Sequence, residues 1–270
     1  MKIGVILGGT NPEKQRRNPV ITEAIEILRT RGAEVDVIEP RLMHFELSDL
    51  RVRHDLYVIK SISNPMAANV GATLHALGAQ TFNPFPIVQT IRNKIVTLRL
   101  LAAHGVSVPA TYVGAEVDRF VPLLDQGPLI IKPYSGSSGI GVKRVTTPDE
   151  LVLAAGPPPI LAQRFHPADD GLDHKISMIG ESVFGVRRIF PLRTYSDKNG
   201  TPLEIDGETR GIANSISKIL GIDMFSFDLI VSGGKPYVVD VSSFGSMMGV
   251  PGAPTLVAAR IIRAWEERRT

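Results

Sequence analysis

The chain has 270 residues, of which 43% are hydrophobic and 21% charged. That is long enough for a well-buried core in two domains or in one domain with lobes. Cysteine is absent, which excludes disulfides, thiol nucleophiles and thiolate metal sites and fits a cytoplasmic protein. The net charge of +3 is spread out, with short knots at Arg16-Arg17, Arg187-Arg188 and Arg268-Arg269, and aromatic residues make up only 6%. These values argue against nucleic acid as a partner and suit anionic small molecules better. No apolar run reaches the roughly 20 residues of a membrane span, so no membrane is expected.

The opening "MKIGVILGGT" reads as a buried strand ending in Gly8-Gly9 rather than as a signal peptide. Asn18-Pro19 marks a helix start, with Ile21, Ala24, Ile25 and Leu28 at helical spacing and Gly32 as its stop. "EVDVIE" and "DLYVIKSI" follow as strands, and "AANVGATLHALG" as a helix. Strand, helix, strand, strand, helix predicts an α/β layer with a parallel sheet. The prolines of "FNPFP" mark a boundary at residues 82–86.

One long helix is then expected from about Ile87 to His104, with Ile91, Ile95, Leu98, Leu101 and Ala102 on one face. After Pro109 the texture turns to paired β segments: "PLIIKPY" with "IGVKRV", "KISMIG" with "SVFGVRRI", and "FSFDLIV" with "KPYVVDV". "ES" and "SGG" are plausible hairpin links for the last two pairs. Helices at about 148–155, 207–220 and 254–267 complete an α+β, antiparallel second part.

Two features carry chemistry. "KPYSGSSGIGV", residues 132–142, sets a lysine before a run of glycines and serines. Glycine lets backbone amides approach phosphate oxygens, and lysine adds a point charge. The stretch is neither a Walker loop nor a dinucleotide fingerprint, because the lysine precedes the glycines and a strand follows them. By itself such a stretch is more often a plain hairpin tip than a phosphate cradle. The second feature is Asp228 in "FDLIV" and Asp240 in "VVDVSS", on two apolar runs. On one hairpin these carboxylates would repel each other unless a cation bridged them, and hard oxygen ligands suit magnesium carrying phosphates. The alternative is that each aspartate pairs with an arginine or caps a loop.

In their order, these segments resemble the ATP-grasp superfamily, closest to its RimK-type (glutathione synthetase-like) carboxylate–amine ligases, over about Asn83 to Ala253. There is a second likeness to the inositol trisphosphate kinase branch. The resemblance implies a Rossmann-like parallel-sheet domain at 1–86, an ATP-grasp lobe with a glycine-rich lid at 87–164, and a second lobe with the metal site at 165–270. It implies ATP contacts at Lys94, Lys132, the lid residues Ser135, Gly136, Ser137, Ser138, Gly139 and Gly141, the hinge residues Gln163, Arg164 and Phe165, and a ribose or hinge contact at Asp173. Arg187 or Arg188 falls at the family's catalytic arginine, and Asp228, Asp240 and Ser242 fall at its Mg2+ ligands, with Mn2+ as the alternative ion. Ser242 stands where the family has asparagine, and Arg164 where it often has glutamate.

The implied reaction is ATP-dependent ligation of a small-molecule or peptide carboxylate to an amine through an acylphosphate. The kinase branch would phosphorylate a hydroxyl, with Arg16, Arg17, Arg193 and Arg210 as extra phosphate contacts. A nucleotide-binding pseudoenzyme is the third option, suggested by Ser242. A homodimer is in keeping with the superfamily. The acceptor is expected between the N-terminal domain and the C-terminal lobe, near "GGTNPEKQRR" and "SSFGSMMGVPG", with Met247 and Met248 read as core.

Overall fold

The structure is a computed structural model that describes residues 1–8, 18–135, 139 and 141–267. Gly136, Ser137, Ser138, Arg16, Arg17, Arg268, Arg269 and most of "GGTNPEKQRR" lie outside the described residues. No helix among those residues is long and apolar enough to cross a membrane.

The N-terminal part is the parallel α/β layer that the sequence predicts. Strands β1 (Lys2–Leu7), β2 (Glu34–Ile38), β3 (Leu56–Ser61) and β4 (Thr81–Phe82) form a sheet in the order β2-β1-β3-β4, all parallel. Asn18 caps helix α1 (Pro19–Thr30), its side chain accepting from the amides of Val20 and Ile21. Asn64 caps helix α2 (Pro65–Ala76) in the same way. Alternation along β1 and β3 divides the apolar residues between two faces. Ile3, Val5, Leu56 and Val58 pack on α1, while Ile6, Tyr57 and Ile59 pack on α2. The two-residue β4 was not predicted.

The expected long helix is broken. Helix α3 (Phe85–Arg92) ends at Asn93, which is extended, and helix α4 (Lys94–Ala103) starts directly after it. The apolar periodicity continues through the break, but Asn93 caps locally, its Oδ1 accepting from Ile95 N at 3.1 Å and Val96 N at 3.3 Å. The cap puts Lys94 on the first turn of α4, and Lys94 N donates to Tyr134 O at 2.9 Å.

Two antiparallel sheets follow. The first has the order β5-β8-β6-β7, from β5 (Thr111–Gly114), β6 (Leu129–Pro133), β7 (Lys143–Val145) and β8 (Ile160–Arg164). Helix α5 (Pro148–Ala154), started by a capping box at Thr147 and Glu150, helps cover it. The second has the order β11-β10-β9-β12-β13, from β9 (Asp173–Ile179), β10 (Ser182–Arg188), β11 (Thr201–Leu203), β12 (Met224–Ser232) and β13 (Lys235–Ser242). All three expected strand pairs form. The β9–β10 link is Gly180-Glu181, one residue earlier than expected, because Gly180 takes the positive φ of 61° that the turn needs. β11 was not predicted.

Helix α6 (Gly207–Leu220) covers one face of this second sheet with Ala213, Ile216 and Leu220, against Ile176, Phe225, Phe227 and Val241. The C-terminal helix α7 (Ala253–Glu266) returns to the N-terminal layer. Val257, Ala258 and Ile261 join the core of β1 and α1, as do Phe244, Met247 and Met248. Met247 and Met248 are therefore core, as the sequence suggested. Asn83 ties the end of β4 to the second sheet, its Nδ2 donating to Met224 O at 2.6 Å.

Asn93→Ala should cost about 1 kcal/mol, the usual loss of a side-chain N-cap. Urea unfolding would check this, and an unchanged midpoint would contradict the capping role.

Candidate active site

The site is built on the polar face of the five-stranded sheet. Asp228 lies directly opposite Asp240, and Ser226 opposite Ser242. On its other side β12 pairs with β9, placing Lys175 opposite Asp228 and Ser177 opposite Ser226. Because successive side chains alternate, the intervening Phe225, Phe227 and Val241 go to the apolar face under α6. Burial of that face fixes the register, since a slip of one residue would turn the carboxylates into the core.

Both carboxylates are largely out of water, with the Asp228 and Asp240 side chains 20% and 25% exposed. Each is held by cations. Lys94 Nζ is 2.5 Å from Asp240 Oδ1, reaching down from the start of α4. Lys175 Nζ and Arg188 Nη2 each lie 2.8 Å from Asp228 Oδ1. Arg188 also donates through Nε to Asp173 Oδ2 at 2.6 Å. Burial alone would raise the Asp228 pKa, but Lys175 and Arg188 hold it below the usual carboxylate range. Asp173 goes the other way, up to about 6, because burial and the Asp228 charge outweigh its share of Arg188. Burial disfavours the Arg188 charge, but Asp228 and Asp173 overcome this and raise its pKa.

Lys132 enters from the other sheet. The β12–β13 pairing carries a bulge in which Asp228 faces Asp240 and Leu229 faces Val238, so Val239 is the extra residue. Lys132 Nζ donates to the Val239 carbonyl at 2.7 Å and to Gln163 Oε1 at 2.5 Å. Gln163 is held in turn by Nε2 donating to Thr111 Oγ1 at 3.1 Å. Burial pushes the Lys132 ammonium down to about 8, with Asp240 opposing that shift and Lys94 adding to it. The lysine thus bridges the two antiparallel sheets beside the carboxylate pair.

The structure sorts the remaining expected residues. Arg188 belongs to the site, whereas Arg187 is opposite His174, exposed on the other face. Asp173 is engaged by Arg188. Arg164 folds back, its guanidinium donating to the carbonyls of Gly127 at 2.5 Å and Leu123 at 2.9 Å. Its own amide donates to Ala110 O at 2.8 Å, and Phe165 N donates to Pro128 O at 3.0 Å. The Phe165 ring lies under Arg144, 4.5 Å from centroid to guanidinium carbon. Of the lid, Ser135 is half-buried, and Gly139 and Gly141 have positive φ of 69° and 78°. A Cβ on Gly139 would come within 3.1 Å of the Phe190 ring. Arg193 and Arg210 are exposed. Lys175 was not singled out in the sequence. Its only local signal is the period-two spacing with Asp173 and Ser177.

No group of three or more histidines, aspartates or glutamates among the described residues could by itself cage a metal. Two opposed carboxylates still fit a magnesium ion that takes its other oxygens from phosphates and water, which is how that ion is usually held.

A family model described as the RimK-like ATP-grasp domain matches residues 91–264. A probable alpha-L-glutamate ligase of Aeromonas salmonicida (strain A449) is 24% identical, covering 98% of this chain and 96% of its own. Among solved structures, the RimK domain protein ATP-grasp of Sphaerobacter thermophilus DSM 20745 superposes with a TM-score of 0.75 at 17% identity, over 97% of this chain and all of that one. The ATP-grasp ligase PsnB, complexed with minimal precursor, Mg and ADP, gives 0.66 at 15% identity, over 97% and 98%. Two lysines and two opposed aspartates converge on one buried face of this fold, and the chain belongs to the RimK-like ATP-grasp family.

Proposed function

We propose that the chain is an ATP-dependent carboxylate–amine ligase working at the Asp228–Asp240 pair. The observation that carries this is the convergence of Lys94, Lys132, Lys175 and Arg188, from both antiparallel sheets and α4, on two carboxylates that face each other. Asp228 and Asp240 would hold Mg2+, or Mn2+ in its place, with Ser242 directly or through water. The metal would supply charge neutralisation on the transferring phosphoryl group. Lys94 and Lys132 would hold phosphate oxygens. They can do so without leaving a carboxylate bare, because the metal takes over the countercharge Lys94 now provides to Asp240.

In the first half-reaction an acceptor carboxylate oxygen bonds to the γ-phosphorus, the bond to the β-phosphate oxygen breaks, and ADP leaves. In the second, an amine nitrogen attacks the acyl carbon, phosphate departs and the amine loses a proton. Arg188 is the catalytic arginine of this proposal, because it alone of the arginine pair lies on the polar face. Placed there, its charge can stabilise oxygen anions in both steps. Gln163, Arg164 and Phe165 would border the adenine and the lid would cover the phosphates. Domain limits at 86 and 164, small-molecule or peptide substrates, a homodimer and a cytoplasmic location belong to the same reading.

Product analysis with candidate acids and amines tests it. ADP, phosphate and an amide in equal amounts are expected. A phosphorylated alcohol would make the chain a kinase, and nucleotide binding without ADP would make it a pseudoenzyme. Asp240→Asn should lose at least 100-fold in turnover, the scale of one strong electrostatic contact to the reacting groups, while its circular dichroism stays unchanged. Normal turnover in that variant would contradict the metal role.

Lys132 also has a pH signature. Its folded pKa of about 8 lies below the ordinary 10.5, so between those values the unfolded chain binds more protons. The penalty is full below about pH 8, and stability rises with pH across the window, by up to about 1.4 kcal/mol per pH unit. Lys132→Met should flatten the rise between pH 8 and 10 in urea titrations. An equal slope in the variant would contradict the buried, destabilised ammonium.

A further inference from the structure

The chain passes from the first antiparallel sheet to the second through residues 165–172, and this linker is held at both ends. Its start belongs to the first sheet, where Arg164 N donates to Ala110 O at 2.8 Å and Phe165 N to Pro128 O at 3.0 Å. Its later part belongs to the second. Asp169 N donates to Val231 O at 2.8 Å, and the Asp169 carboxylate accepts from the amides of Gly233 at 2.8 Å and Gly234 at 2.9 Å. Gly233 and Gly234, with φ of 58° and 71°, form the turn of the β12–β13 hairpin, where two successive amides can converge on one anion. The amides of Gly234 and Gly233 hold the Asp169 carboxyl below the usual carboxylate range, against the neighbouring charge of Asp170, although the side chain is exposed. Asp170 secures the next turn of the linker, accepting from Leu172 N at 3.0 Å and lying 2.8 Å from His174 Nε2.

A ring contact adds to this clamp. His166 stacks on Tyr237, with ring centroids 4.0 Å apart and 23° between the planes. Tyr237 is opposite Ile230, while Leu229 and Val238 between the two levels go to the apolar core. Side chains alternate along β12, so Ile230 and its partner Tyr237 share the face of Asp228 and Asp240. His166 therefore rests on the polar face of the sheet, on the turn side of the carboxylate pair. Burial, with the charges of Arg164 and Lys235, holds the His166 imidazole below its ordinary pKa, so the stacked ring is neutral at pH 7.

The changeover between the sheets falls within His166, Pro167 and Ala168, and proline fixes φ at the middle one. In the reaction as proposed, Gln163, Arg164 and Phe165 border the adenine while Asp228 and Asp240 hold the metal. A nucleotide that meets both has to reach from the linker to the hairpin. A linker already fixed to that hairpin need not be ordered by the nucleotide, which removes an entropic cost of binding. Asp169 itself binds the tip of the hairpin, whereas the carboxylate pair lies midway along β12.

We propose that Asp169 is a positioning residue for the nucleotide: by clamping the linker to the hairpin tip, it sets the span between the nucleobase and the metal. The assignment rests on the adenine and metal placement of the ligase reading and adds the residue that keeps the two in register.

The test is calorimetric titration of the full-length protein, in Mg2+, with a non-hydrolysable ATP analogue and with inorganic tripolyphosphate, which has the phosphates but no base. Asp169→Ala should weaken the analogue roughly ten-fold, the scale of one hydrogen bond to a charged group. It should leave tripolyphosphate within about two-fold of wild type, which also shows that the variant is folded and its metal end intact. Asp169→Asn, which keeps one oxygen for one of the two amides, should fall between Asp169→Ala and wild type. An analogue affinity within about two-fold of wild type in Asp169→Ala would overturn the assignment. Equal weakening of the analogue and of tripolyphosphate would also overturn it, because Asp169 would then support the hairpin alone and not the span. The two readings fail separately: nucleotide binding as expected without an amide product in turnover would defeat the ligase reading and leave Asp169 in place. A wild type that binds the analogue no more tightly than tripolyphosphate would defeat the adenine placement and the assignment together.

Discussion

Two like charges held face to face in a dry place are the constraint on which this protein is organised. Asp228 and Asp240 are register partners on one hairpin, and both are mostly desolvated. At an effective dielectric of about 20, two unit charges 4 Å apart repel by about 4 kcal/mol. The hairpin bears this because Lys94, Lys175 and Arg188 approach within 2.5 to 2.8 Å. Each of the three comes from a different element, so the pair is stable only when α4, β9 and β10 have all been assembled around it. The same cations that make the resting state possible are those best placed to meet phosphate oxygens.

The rest of the molecule fixes that assembly. Phe225, Phe227 and Val241 on the reverse of the hairpin lock its register against α6. The bulge at Val239 turns a carbonyl toward Lys132 and joins the two antiparallel sheets at the site. The N-terminal layer is bound in from the other side. Its core includes Phe244, Met247, Met248 and helix α7, so the loop after β13 is packed into the apolar interior of the N-terminal layer. Asn83, Asn18 and Lys60 add polar ties across the same boundary. A displacement of the N-terminal layer would therefore be felt within a few residues of Ser242.

Much of this was legible in the sequence where the signal was local. The parallel layer followed from β-branched runs and asparagine-proline caps, and the hairpin carrying the two aspartates from its glycine turn. Lys94 and Lys132 were legible through the order of the motifs. Three things were not. Lys175 meets Asp228 because β9 lies beside β12, a neighbour relation between strands about fifty residues apart that no local pattern encodes. The choice between Arg187 and Arg188 depends on which of two alternating residues faces the site, and only the register with Asp173 and His174 decides it. The break at Asn93 was hidden by an apolar periodicity that continues across it, although the capping asparagine was there to be read. The guanidinium of Arg164 is taken up by the carbonyls of Gly127 and Leu123, a contact between elements about forty residues apart that no local pattern encodes.

In the proposed ligase the lysine and arginine contacts stand in for a metal between Asp228 and Asp240. A crystal structure with Mg2+ and a non-hydrolysable ATP analogue tests it most directly. A magnesium ion bound by both aspartates is expected, with Lys94 Nζ moved from its 2.5 Å contact with Asp240 to a phosphate oxygen. A nucleotide bound with the Lys94–Asp240 and Lys175–Asp228 contacts unchanged and the metal elsewhere would contradict it.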